Sequence, residues 1–199
     1  MKLTPLYPTI KSVNYPSALS RGELDCRGAT VHYTADRSLP RVINDGISTG
    51  IGYHLTIDRD GSVHQNCWLD KAVAHAGDAT WNGVSPNRHH VAVALLSWGI
   101  LEVDRFTGQK KTWTGIVLPD AEIAERPALN GQMCWWDKAT PEQEASIVLV
   151  LRWLMTAGKF PALNVCGHDE CAIPKGRKSD PGGVLAAGMH GLRAKLESP

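Results

Sequence analysis

Charge of one sign is what this sequence has least of. In 199 residues, 21 Lys and Arg stand against 20 Asp and Glu, which leaves +1 with histidine neutral. Nucleic-acid binders rely on a basic surface, so nothing in the charge points to that partner. Long apolar runs are missing too. The longest, around Ile147 to Met155, is far short of the roughly 20 residues that cross a bilayer, so no membrane partner is expected. The opening stretch, MKLTPLYPTIKSVNYPSALS, has a lysine near its start but no apolar signal core, and prolines interrupt it. Synthesis in the cytosol, with no export of its own, is the expectation. A paired cysteine set is also lacking. Five cysteines (Cys26, Cys67, Cys134, Cys166, Cys171) make an odd count, which argues against a disulfide framework. Internal repeats and low-complexity segments are absent as well.

What is present is an ordinary soluble composition, 43% hydrophobic and 21% charged, long enough for one domain with a full core. Eight histidines and seven tryptophans are many. Tryptophan suits a carbohydrate or peptide groove and a buried core equally well.

Residues 1–28, rich in Pro, Ser and Tyr, read as an extended lead-in. Ala29 to Thr34 alternates as a short strand carrying His32, and the strand stops just after it. Strand ends are where sites sit in α/β proteins. Leu39 to Ile47 reads as a helix with Ser38 as N-cap, Pro40 in the first turn and Gly50 beyond its end. Tyr53 to Asp58 and Ser62 to Asn66 form a hairpin about Asp60-Gly61. Alternation puts Tyr53 and His54 on opposite faces, so at most one faces a site. His89-His90 precede Val91 to Leu96, a continuous apolar run expected of a strand buried on both faces. Adjacent strand histidines diverge and make a poor metal pair. Residues 98–137 read as an insertion, with a hairpin near Thr107-Gly108 and then a loop. The clearest helix starts at the N-cap Thr140, with Pro141 at N1 and Gln143 completing a capping box. Ile147, Leu151 and Leu154, with Val148 and Met155, are its apolar stripe, and Gly158 ends it. A strand within Phe160 to Cys166 and a last helix from Gly183 to Ser198 complete the chain.

The chemistry gathers in one stretch, VCGHDECAIPKGRKSDPGG, from Val165 to Gly183. Two prolines and four glycines argue for an ordered loop, and it carries His168, Lys178 and Asp180. His168 and Asp180 alone do not make a catalytic zinc site, which usually takes three protein ligands and leaves a position open. Cys166 and Cys171 flank His168, but their spacing fits no common structural zinc site.

Four pieces stand in order: VHYTA with His32, GYHLTIDRDGSVHQ with Tyr53, HAG with His75, and GHDECAIPKGRKSDPG with His168, Lys178 and Asp180. Together they resemble the zinc N-acetylmuramoyl-L-alanine amidases of the amidase-2 type, a family that includes phage lysozymes, anhydro-muropeptide amidases and peptidoglycan recognition proteins. The resemblance covers roughly residues 29–100 and 140–195. It implies an α/β fold, a central mixed sheet of about five or six strands flanked by helices, in a single domain spanning 29–198. It implies Zn2+ held by His32, His168 and Asp180, with Lys178 and Tyr53 catalytic, His75 lining the substrate cleft and His54 structural. The implied reaction is hydrolysis, by zinc-activated water, of the amide between N-acetylmuramic acid and L-alanine in bacterial peptidoglycan. Some relatives carry a catalytic glutamate where VAVALL places Ala94, so the pattern is closer to the phage lysozymes. The base is left open; Glu102 is near only in sequence. A monomeric phage endolysin, held in the host cytoplasm until lysis, is the expected role. A muropeptide-recycling amidase and a non-catalytic peptidoglycan-binding protein are the alternatives.

Overall fold

The computed structural model describes residues 18–198 in full and the backbone of residues 10–12. In chain order the strands are β1 (Ile10–Ser12), β2 (Ser20–Glu23) and β3 (Gly28–Tyr33), then helix α1 (Leu39–Thr49). Strands β4 (Leu55–Ile57), β5 (Val63–Gln65) and β6 (Lys71–Val73) precede the one-turn helix α2 (Pro86–His89) and β7 (His90–Leu95). Next come β8 (Ile100–Val103), β9 (Lys110–Lys111), β10 (Ile123–Pro127) and β11 (Met133–Asp137). Helix α3 (Pro141–Gly158), β12 (Val165–Gly167), one-turn helix α4 (His168–Cys171) and α5 (Gly188–Glu197) close the chain.

Six strands form a central mixed sheet in the order β1-β5-β4-β7-β3-β12. Only the β4–β5 hairpin is antiparallel. Gly61, at φ 81°, supplies the left-handed residue of its turn. The expected lead-in contributes more than an extended approach: β1 extends the sheet and β2 pairs with β6. The rest of that stretch, residues 1–9 and 13–17, lies outside the described residues.

The two sheet faces differ in chemistry. On one, Val31, Val91, Val93, Leu95, Leu55 and Ile57 pack with Ile147, Leu151 and Leu154 of α3 and Leu192 of α5. Alternation sends Thr30, His32, Ala92, Ala94 and Thr56 to the other face, all buried, small or polar. A face without large apolar groups is a poor core and a good floor for a site.

Local signals set the helices. Thr140 accepts from Gln143 N and the Gln143 side chain accepts from Thr140 N, so the capping box forms as expected. Gln143 also donates to the carbonyls of Ile57 and Leu96, which ties the helix start to the strand ends. Gly158 is the last helical residue, and Lys159 takes the left-handed position expected of the glycine. Gly158 stays in the helix, where a Cβ would meet the Phe160 ring at 2.7 Å. In α1 the Ser38 side chain makes no cap bond; Asp36 Oδ1 accepts from Ser38 N instead.

Residues 98–137 differ most from expectation. They form a separate four-stranded sheet, β10-β11-β8-β9, and not one hairpin with a loop. Its own cluster is Trp98, Leu101, Leu118 and Ile123, while Trp136 reaches the main core and packs against Gly182 and Gly183. The stretch 165–183 also holds more regular structure than a loop: β12 and α4 lie within it.

Acid should destabilise this fold well above the carboxylate range. Burial pushes His54 and His90 down to about 4. Burial lowers His32 and His75 as well. Unfolded histidine titrates near 6.5, so on acidification the unfolded chain binds protons first. The stability from these neutral imidazoles is complete above about pH 6.5 and is lost as pH falls toward 4, at most about 3 kcal/mol for each of His54 and His90. Asp169, pushed up to about 7 by burial, acts oppositely, but one carboxyl faces four imidazoles. Urea midpoints of chelator-treated protein should therefore drop steadily from pH 7.5 to 4.5, and a flat profile would contradict the reading.

Candidate metal centre and active site

His32 stands near the end of β3 on the polar face and is 1% exposed. The parallel pairing of β3 with β12 sets Val31 against Gly167, so His168, the next residue, emerges beside His32. Their ring centroids are 4.7 Å apart. The chain then loops out and returns, with Asp169 N donating to Asp180 O at 2.7 Å. Asp180 Oδ2 ends 2.7 Å from His32 Nδ1 and 2.9 Å from His168 Nδ1. Among the described residues, these three form the group placed to hold a metal, with ligand atoms within 4.8 Å of one another.

The outer nitrogens decide what the inner ones offer. His168 Nε2 lies 2.9 Å from the Ala76 carbonyl, which can only accept, so that nitrogen carries the proton. His75 Nε2 likewise donates to Pro86 O at 3.1 Å. His75 Nδ1 is then an acceptor and takes the proton of His32 Nε2 at 3.0 Å. In their neutral forms both His32 and His168 therefore turn an Nδ1 lone pair toward the Asp180 carboxylate. Three lone-pair donors converging in a buried site repel one another unless a cation or protons lie between them. Two imidazoles and a carboxylate fit a zinc ion with an open coordination position.

The electrostatics agree. Burial alone would raise the Asp180 carboxyl, but the facing His168 and His32 rings, once they carry a proton at Nδ1, outweigh it and hold it well below the usual range. Burial lowers His32, and the charge of Lys178 adds to the effect, so Lys178 stands within electrostatic reach of the cluster. Lys178 itself is exposed. The Tyr33 hydroxyl meets Ser179 Oγ at 2.6 Å and steadies the segment that carries it. The Tyr53 ring lies 5.1 Å from that of His32. Burial, with Asp180 nearby, pushes the Tyr53 phenol far above its ordinary value, so it is a proton donor at neutral pH.

His75 is not at the cleft. It is 5% exposed and sits behind His32, with both ring nitrogens engaged inside the protein. The HAG motif named the residue, but only the fold shows which way the ring turns. His54 is locked between Lys71 O and Ala92 N. Ala94 pairs in register with His32, so no carboxylate stands at that position. Glu102 is exposed on the inserted sheet opposite Lys111. Cys166 lies against Thr30 and His90, and Cys171 points to the His168 carbonyl. His90 is buried against Thr30, whereas His89 turns to Asp25. Asn87 is a further residue of the site: its amide accepts from His75 N and Ala76 N and donates to Gly77 O. It thus holds the segment that orients His32 and His168, and nothing local marks it out.

The family profile described as N-acetylmuramoyl-L-alanine amidase matches residues 22–183. No curated protein matches the sequence. Among solved structures, a mutant of PlyL aligns with a TM-score of 0.60 at 19% identity, over 96% of this chain and 99% of that one. The endolysin N-acetylmuramoyl-L-alanine amidase LysCS of Clostridium intestinale aligns at 0.60 and 18%, over 96% and 97%. The E. coli amidase AmiD, solved with anhydro-N-acetylmuramic acid-L-Ala-D-gamma-Glu-L-Lys, aligns at 0.58 and 16%, over 88% and 59%. At these identities the likeness is one of fold.

Proposed function

The chain belongs to the N-acetylmuramoyl-L-alanine amidase family of peptidoglycan hydrolases, and on that premise we propose a zinc enzyme with His32, His168 and Asp180 as ligands. The observation that carries this is the convergence of the two Nδ1 atoms on Asp180, with both outer nitrogens already committed. Zinc, when bound, supplies Lewis acidity that makes water a nucleophile near neutral pH and polarises the scissile carbonyl. The protein's own groups do the rest. Lys178 and Tyr53 are the donors for negative charge growing on that carbonyl oxygen. Lys178 brings a full charge from the rim, and Tyr53 brings a phenol that burial keeps protonated. Donors of this kind contribute about 3 kcal/mol each.

A lytic role, acting on the wall from the host cytoplasm as a phage endolysin, is supported by the shared fold of LysCS and PlyL. The test is digestion of purified sacculi with and without a chelator, with mass analysis of the products. Chelator-sensitive release of peptides with a free L-alanine amine, leaving intact glycan, is the expected result. Release only from soluble anhydro-muropeptides would move the protein to a recycling role. Binding without release would leave a recognition protein.

Lys178→Ala should retain zinc and lose about a hundredfold in kcat. An unchanged rate would remove the lysine from the mechanism. Tyr53→Phe, which deletes one hydroxyl, is the smaller test. Less than a twofold loss would leave the tyrosine a packing residue.

A further inference from the structure

The inserted sheet carries an aromatic group that the catalytic reading does not use. Trp113 sits in a tight turn after β9, in which Thr112 N donates to Ile116 O and Gly115 N to Thr112 O, both at 2.8 Å. The Thr112 hydroxyl accepts from Ile116 N and closes the turn further. From it the Trp113 indole N–H donates to Ala35 O at 2.8 Å, yet the residue is 63% exposed.

Ala35 is three residues beyond His32, and a chain that short spans at most about 10 Å. The indole is therefore pinned by its edge to the rim of the metal cluster. Its one polar group is spent inside the protein, so what remains for a ligand is the flat apolar ring. The cations on the elements that carry Trp113 and Ala35 have partners, and the open one at the rim, Lys178, is assigned to the reacting carbonyl. Lys111 pairs with Asp104 at 2.7 Å, Lys110 stacks on Trp135, and Arg41 lies 3.7 Å from Asp36. The C–H face of a neutral pyranose matches such a ring.

We propose that Trp113 is a stacking platform for an N-acetylhexosamine of the glycan strand next to the scissile muramoyl unit, a reading that rests on the amidase function. Trp113 makes the enzyme select polymeric glycan over an isolated muramoyl peptide. The inserted sheet is the device that holds it at the rim.

The test compares the zinc-loaded protein with Trp113→Ala and Trp113→Phe on two substrates, peptide-bearing glycan strands and an N-acetylmuramoyl dipeptide. In Trp113→Ala the ratio of kcat/KM between strand and dipeptide should fall about tenfold, mostly through KM, as expected for one lost ring contact. Trp113→Phe keeps a ring and should retain most of the preference. Tetra-N-acetylglucosamine binding, followed by calorimetry, should weaken in parallel in Trp113→Ala. Equal losses on both substrates, or an unchanged ratio with unchanged oligosaccharide binding, would overturn the platform. Failure of the unaltered protein to cleave either substrate would instead overturn the amidase reading, because calorimetry reports on the platform without turnover.

Discussion

Asp180→Ala is expected to lose zinc and activity together, with metal affinity down more than about a hundredfold and turnover down more than about a thousandfold. The carboxylate is the one anion between two imidazole lone pairs, at 2.7 and 2.9 Å. Without it the site offers a cation two neutral ligands in a buried setting, below the three of a catalytic zinc centre. Asp180→Asn keeps the shape but not the charge, and should fall between the two. Metal content measured beside hydrolysis of sacculi checks this. A zinc-loaded, fully active Asp180→Ala would remove Asp180 from the ligand set. Acid should act in the same direction in the unaltered protein, since protons compete with the metal for both Nδ1 atoms.

The second large effect is on stability and lies away from the site. Asp137 is 0% exposed and accepts from Arg37 Nη2 at 2.6 Å, Arg37 Nε at 2.9 Å, Arg59 Nη1 at 3.3 Å and Trp98 N at 2.7 Å. Asp137 ends the inserted sheet and Trp98 precedes it, so one carboxylate clasps both of its ends. Both arginines come from the main domain. Asp137→Ala would leave two guanidiniums mostly shielded from water without their shared partner. Breaking such a pair costs about 3–5 kcal/mol, or about 10 °C in Tm at this chain length. Replacing Arg37 and Asp137 together with apolar residues should cost less than Asp137→Ala alone, because fewer charges are stranded. A loss below about 1 kcal/mol in denaturant titrations would mean that the arginines re-solvate freely and the clasp is not structural.

Much of the frame was legible locally. The capping box at Thr140 and Gln143 formed as read, and so did the left-handed stop at Gly50 and the Asp60-Gly61 hairpin. Each needs residues within a few positions of one another, and their backbone preferences survive in any context. The inserted sheet was not legible. Its strands are short, and β9 is two residues long. Their pairing is decided by partners such as Trp135 and Leu101, more than 30 positions apart. The one-turn helix at His168 was hidden for a related reason: a single turn gains little from its own sequence and is held by the Asp169–Asp180 backbone bond.

The site divides in the same way. The sequence by itself determined which residue types are available and in what order: His32, Tyr53, His168, Lys178 and Asp180, in motifs that mark the family. Their number and spacing along the chain are covalent facts. Only the tertiary structure decided that His75 is buried behind His32, that Pro86 O and Ala76 O set which nitrogens of His32 and His168 face Asp180, and that Trp113 reaches Ala35. Those outcomes depend on the parallel register that sets Val31 beside Gly167 and on which carbonyls the packed segments turn toward the rings. Register and packing are properties of distant segments meeting, and no local window of sequence contains them.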